Sequence, residues 1–190
     1  MPRGYGFCAS IVFAFLAAMA GFDASGATFR HMSLDALVAG SDFIVHGRVI
    51  QCRSLWDPAT GAIWTRTELR VLDAAKGRAG TALAVTEPGG IVGGRGESYP
   101  GIPRFKIGQE VVLFLYRAPG DRLRVTGLLQ GVYTVFSDPQ SGELTAVPAA
   151  PPAEVVFEGA RPAQAASQAT VVRESLGRFL YRLRLKAASR

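Results

Sequence analysis

At 190 residues, 48% of them hydrophobic, the chain is too apolar to be disordered, and once an export segment is set aside it has room for one domain with its own core. Its formal charge of +6 is not spread over that domain. Residues 27–172 carry fourteen Lys and Arg against thirteen Asp and Glu, while residues 173–190 carry six basic residues against Glu174 alone; the near-neutral body, with no basic-aromatic strand face evident in the sequence, argues against a nucleic-acid partner.

Residues 1–26 read as a signal peptide. Arg3 supplies a minimal positive start, residues 11–16 (IVFAFL) form a short apolar centre, and small residues follow as Ala18-Met19-Ala20 and again as Ala24-Ser25-Gly26-Ala27. An uncleaved anchor is the competing reading, because no charge falls between residues 4 and 22, but the strongly apolar part is short against the ~20 residues a span requires. The expected destination is periplasmic or extracellular. With Cys8 in that segment, Cys52 is the lone cysteine of the mature chain, so no internal disulfide is expected, and a small buried hydrophobe is its ordinary role.

Residues 27–147 are expected to form a mainly β domain. A short helix opens it at residues 33–40, with Ser33 as its cap, Asp35 in its first turn and Gly40 at a left-handed exit. Residues 42–50 (DFIVHGRVI) alternate as a strand with Phe43, Val45 and Val49 on one face and His46 and Arg48 on the other, and Gly47 signals a bulge or bend. A turn at residues 57–61 leads to residues 63–72, where Thr65, Thr67, Leu69 and Val71 alternate with Arg66, Glu68 and Arg70. After a turn at 76–80, a short strand at 82–86 precedes a glycine-rich loop at 89–101. Residues 111–115 (VVLFL) are apolar throughout, so both faces of that strand need cover. Short strands near 123–128, 131–136 and 144–147, split by Gly and Pro turns, complete the pattern of a small antiparallel, OB-like barrel.

Residues 148–168 read as an Ala/Pro-rich linker, and residues 169–190 as a basic amphipathic helix with Val172, Leu176, Phe179, Leu180 and Leu183 on one face. That stripe is expected to pack back on the barrel, over the second face of the 111–115 strand. The alternative places it on an anionic membrane surface or in a partner's groove, with Arg178 and Arg182 as contacts.

The glycine-rich loop lacks the residues that phosphate chemistry requires. Gly89 and Gly94 have P-loop spacing, but Arg95-Gly96 stands where Lys-Ser/Thr is needed and no helix follows, so nucleotide binding is not expected. Its Arg95, Glu97 and Tyr99, with Arg104 beyond it, are the candidate binding residues of a surface connection. No metal or other cofactor is expected, since His31 and His46 are the only histidines and no paired cysteines or HExxH occur. Cys52 and His46 are the best thiol dyad, yet an extended strand separates them by about 20 Å. Asp42 with Glu68 is a carboxylate pair that nothing in the spacing selects.

The combination of Leu34-x-x-Leu37, Ser41-Asp42-Phe43-Ile44-Val45-x-Gly47-x-Val49, Trp56, Lys76-Gly77, Pro88-Gly89-Gly90, Gly93-Gly94, Gly101-x-Pro103-x-Phe105-x-x-Gly108-x-Glu110, Val112-Leu113-Phe114-Leu115 and Gly127-Leu128-x-Gln130-Gly131 resembles a family of uncharacterised bacterial exported proteins over most of residues 34–136. It brings no activity with it. The order of strand, hairpin, Lys-Gly turn, strand and late hydrophobic strand is similar, more loosely, to the netrin-like OB barrel of tissue inhibitors of metalloproteinases. That resemblance implies a barrel. The inhibitory mechanism does not carry over, because those inhibitors chelate zinc through an N-terminal cysteine and are bound by several disulfides, and this mature chain keeps only Cys52. The expected function is therefore an exported, non-enzymatic binding module for another exported macromolecule, a protease partner or inhibitor being one form. The alternatives are an enzyme with its site at the barrel mouth and a peripheral membrane protein attached through the helix.

Overall fold

The computed structural model describes residues 31–150 and 173–189. The expected signal peptide, most of the expected linker and the first residues of the expected C-terminal helix lie outside the described residues. The elements run α1 (Leu34–Ala39), β1 (Phe43–Asp57), β2 (Ala62–Lys76), β3 (Ala82–Pro88), β4 (Gly90–Val92), β5 (Arg95–Glu97), β6 (Glu110–Ala118), β7 (Arg122–Val125), a 3-10 turn (Leu128–Gly131), β8 (Val132–Ser137), β9 (Leu144–Pro148), β10 (Glu174–Ser175) and α2 (Leu176–Ala188). The chain is mainly β with a helix near each end of the described residues.

Strands β1 and β2, 15 residues each, form a long antiparallel hairpin. From it the pairing continues β2–β3 on one side and β1–β6 on the other, and β6 also pairs with β7 and β8. Strands β9 and β10 extend the sheet beyond β8. Between β3 and β7 there is one parallel bridge, Val85 with Leu123.

Strand β6 lies at the centre of this arrangement, and Val111–Leu115 have no exposed surface at all. Its alternate residues feed two cores. Val111, Leu113 and Leu115 pack with Val45, Val49, Leu69, Val85 and Val125 inside the curled sheet. Val112 and Phe114 pack with Ile44, Val38 and the α2 residues Phe179, Leu180 and Leu183. The second face is thus covered by α2, the expected element, and also by α1, which supplies Leu37 and Val38. Strand β10 ties the start of α2 to β9, and ion pairs from Arg184 to Asp73 and from Lys186 to Asp35 tie its far end to β2 and α1.

Two local expectations are corrected. Gly40 leaves α1 at φ −78°, outside the left-handed region, and a Cβ there would lie 3.3 Å from Ala36 O and 3.4 Å from Thr126 Cγ2, so neither backbone angle nor space demands glycine at this exit. The glycine-rich loop is not irregular throughout, because β4 and β5 pair as a small hairpin across Gly93 and Gly94, both with positive φ.

If α2 is part of the core, Phe179→Ala should cost about 3–5 kcal/mol in urea unfolding, whereas Arg178→Ala, on the exposed side, should cost under about 0.5 kcal/mol. Equal effects of the two substitutions would mean that the helix does not hold the core.

Candidate functional site

The β4–β5 hairpin folds over one end of the curled sheet, and the geometry that holds it there is specific. Gly89 donates its N–H to Ile63 O at 2.6 Å and accepts from Thr65 Oγ1 at 2.6 Å. Both Gly89 and Gly90 have positive φ, at 91° and 138°, a region that residues with a Cβ rarely enter. A Cβ on Gly89 would lie 2.6 Å from the Glu97 carbonyl oxygen, and one on Gly90 2.5 Å from Thr65 Oγ1, so the hairpin approaches β1 and β2 more closely than any larger residue permits.

Three of the four candidate loop residues are used in this bracing. The Glu97 carboxylate accepts from the Ile63 N–H at 2.9 Å and pairs with Arg95 at 3.0 Å, while its carbonyl accepts from Arg104 Nη2 at 3.0 Å. Arg104 also donates to Thr65 Oγ1 at 3.3 Å, and Arg95 lies over the Trp56 ring, 4.9 Å from its centroid. Tyr99 remains 42% exposed with its hydroxyl 3.4 Å from Glu97. The other two candidates sit on α2: Arg182 pairs with Glu174 and lies over Phe179, and Arg178 is exposed beside the same shallow cleft as Arg173 and Arg182. The structure thus brings Arg95, Glu97, Tyr99 and Arg104 together and leaves Arg178 and Arg182 on a separate element.

Beneath the hairpin is a cleft of about 570 Å³ whose polar lining comes from several strands: Cys52 and Ser54 from β1, Thr65 and Thr67 from β2, Glu87 from β3, then Glu97 and Arg104. Cys52 reaches it because of a register shift between Val49 and Gln51, which moves one residue out of the β1–β2 alternation. Val49 is consequently inside and Cys52 lies on the same side, partly exposed, 3.5 Å from Phe105 O and 3.8 Å from Thr67 Oγ1. Sequence alternation, lacking that bulge, places Cys52 on the face of His46. The structure does not: His46 accompanies Glu110 at 2.8 Å and Arg48 in a different depression, so the thiol has no histidine beside it.

Glu87 is the residue that sequence reasoning missed. It is 3% exposed, and Oε1 accepts the Val125 N–H at 2.6 Å while Oε2 accepts from Arg124 at 3.0 Å. It stands at the seam where β3 and β7 share one bridge, and its carboxylate satisfies a β7 amide that a neighbouring strand does not reach. Its signal was a carboxylate one residue beyond the expected end of strand 82–86, at the next position in the inward alternation of Leu83 and Val85. Burial pushes the Glu87 carboxyl above the usual value, and the Val125 N–H and the Arg124 guanidinium offset that only in part. Glu110 behaves oppositely: burial raises it, but the hydrogen bonds and charges of Arg48 and His46 outweigh burial and hold it below the usual range.

Chemically, the cleft offers hydroxyls, a thiol, a guanidinium and a buried carboxylate that already has partners. Among the described residues no group of three or more His, Cys, Asp or Glu is placed to hold a metal ion. Protein-family models gave no match to the chain, and neither did the curated proteins.

Two outcomes follow from this geometry. Gly90→Ala should destabilise the protein by roughly 1–3 kcal/mol through backbone strain and displaced hydroxyls, with increased protease cleavage within residues 89–101 as the local readout; unchanged cleavage would show that the bracing is not needed. Because Glu87 is raised in the folded state, its contribution to stability falls as pH rises from its unfolded value through the folded one. Thermal melts between about pH 4 and about pH 7 should therefore show wild type losing ground to Glu87→Gln as pH increases. A difference independent of pH would contradict the shift.

Proposed function

We propose that this chain is an exported binding module that engages another exported protein through the β4–β5 hairpin and the segment running to Arg104, without catalysing a reaction. The observation that carries this reading is a cluster of exposed apolar side chains on and around a braced hairpin: Ile91 of β4 is 74% exposed, Tyr99 just beyond β5 42%, and Trp56 of β1, under Arg95, 42%. Exposed apolar groups on a rigid element lose little conformational freedom when a partner covers them, which is the property of an anchor residue. The underlying scaffold is read as an OB-like barrel. The pairings β1–β2, β2–β3, β3–β7, β7–β6 and β6–β1 support it, since that order returns to its starting strand. We place the chain with the bacterial exported proteins that its sequence resembles, and a protease partner is one form of the hypothesis.

A second reading is favoured by the convergence of Cys52, Thr65, Glu87 and Arg104 in one cleft, an arrangement suited to a small polar ligand or to an enzyme site at the barrel mouth. The membrane reading has less support, because Leu176, Phe179, Leu180 and Leu183 of α2 are packed inside the molecule.

A cross-linking pull-down from extracytoplasmic extract separates the two. The binding-module reading expects one protein recovered with wild type, lost with Ile91→Asp or Tyr99→Ser, and retained with Cys52→Ser. Recovery that ignores Ile91 and Tyr99, or no recovery with any form, contradicts it and moves attention to ligands of the cleft.

A further inference from the structure

The register of the β1–β2 hairpin places arginines directly opposite one another twice on its outer face, Arg48 with Arg70 and Arg53 with Arg66. Between the two pairs stand Gln51 and Glu68, also opposite one another. All four arginines are exposed. Like charges at directly opposed positions of an antiparallel pair are destabilising, and here the arrangement occurs twice within one hairpin. Neutralisation from within the molecule is incomplete. Arg48 pairs with Glu110 at 2.7 Å and Arg66 with Glu68 at 3.3 Å, while Arg53 and Arg70 make no ion pair or hydrogen bond with any described residue.

The surroundings leave the face open. On β3 the positions opposite Arg70, Glu68 and Arg66 are Ala82, Ala84 and Thr86, whose side chains are too short to cover the guanidinium groups. From Arg66 to Arg70 the strand advances about 13 Å, so the two arginine pairs are spaced for an extended ligand.

We propose that this outer face of the β1–β2 hairpin binds an extended acidic segment of a partner protein. Charge complementarity selects the ligand: a guanidinium takes a carboxylate through two parallel hydrogen bonds, and carboxylates entering between opposed arginines remove the repulsion that the free protein carries. An extended segment matches because its side chains on one face recur at the same spacing as those of β2. The surface is distinct from the β4–β5 hairpin, and the proposal stands whether or not that hairpin binds a partner.

The test is fluorescence anisotropy of a labelled ten-residue polyglutamate peptide titrated with the full mature chain, beside a polyglutamine peptide of equal length. The expected result is saturable binding of polyglutamate alone, weakened at least about tenfold between about 50 and about 300 mM salt. Arg53→Gln with Arg70→Gln should weaken it by at least about tenfold, and the control Arg78→Gln, an exposed arginine in the β2–β3 turn, should alter it less than about twofold. Ile91→Asp should leave it unchanged. The double variant should melt at or above the parent's temperature, because it relieves repulsion, so lost binding cannot be attributed to unfolding. Equal binding of polyglutamine, equal loss in Arg78→Gln, or undiminished binding by the double variant would overturn the proposal. So would binding to phosphatidylglycerol vesicles with none to the peptide, which would assign the face to a lipid surface.

Discussion

Complete burial of Val111–Leu115 on both faces of β6 is the constraint on which the rest depends. A strand with one wet face needs one core; this one needs two, and the chain supplies them with different materials. The inner side is closed by curling β1, β2, β3 and β7 around it, and the outer side by α2 with α1. Because α2 lies beyond residues 151–172, the last part of the chain completes what its middle begins. This accounts for an amphipathic helix whose apolar stripe serves the fold and whose arginines remain outside.

Curling the sheet leaves a seam and an end, and both are finished by polar groups. At the seam Glu87 takes the Val125 N–H, doing with a side chain what a strand neighbour does elsewhere. At the end, Gly89 and Gly90 let a short hairpin approach β1 and β2 closely enough for Thr65, Glu97 and Arg104 to bond across it. The same bonds that close the fold therefore stiffen the surface proposed for recognition. A cleft lined by hydroxyls and a thiol beneath a hairpin that exposes Ile91 is the outcome of finishing one sheet end.

Much of this was legible in the sequence for physical reasons. Residues 111–115 lack any polar side chain, which forces burial on both faces, and the 3.6-residue spacing of Leu176, Phe179, Leu180 and Leu183 forces a helix with one apolar side. What was not legible depends on register. The shift after Val49 moves Cys52 to the inner side, and no residue type near Ile50 announces it. Opposed arginines on β1 and β2 appear only when pairing is known, so a body of near-zero net charge concealed a basic strand face. Glu97 and Arg104 looked like partner-binding charges because their roles as braces arise from the β4–β5 pairing, which a run rich in glycine disguises as loop.

Native-state hydrogen exchange, resolved by residue, tests the account at its centre. It predicts that the amides of Val111–Leu115 exchange only through global unfolding, that α2 amides around Phe179 and Leu180 share that limit, and that the Gly89 amide is protected above those of the turn at Gly93 and Gly94. Exchange of α2 by local opening, while β6 stays protected, would show that the outer core is an accessory and not part of the fold that β6 organises.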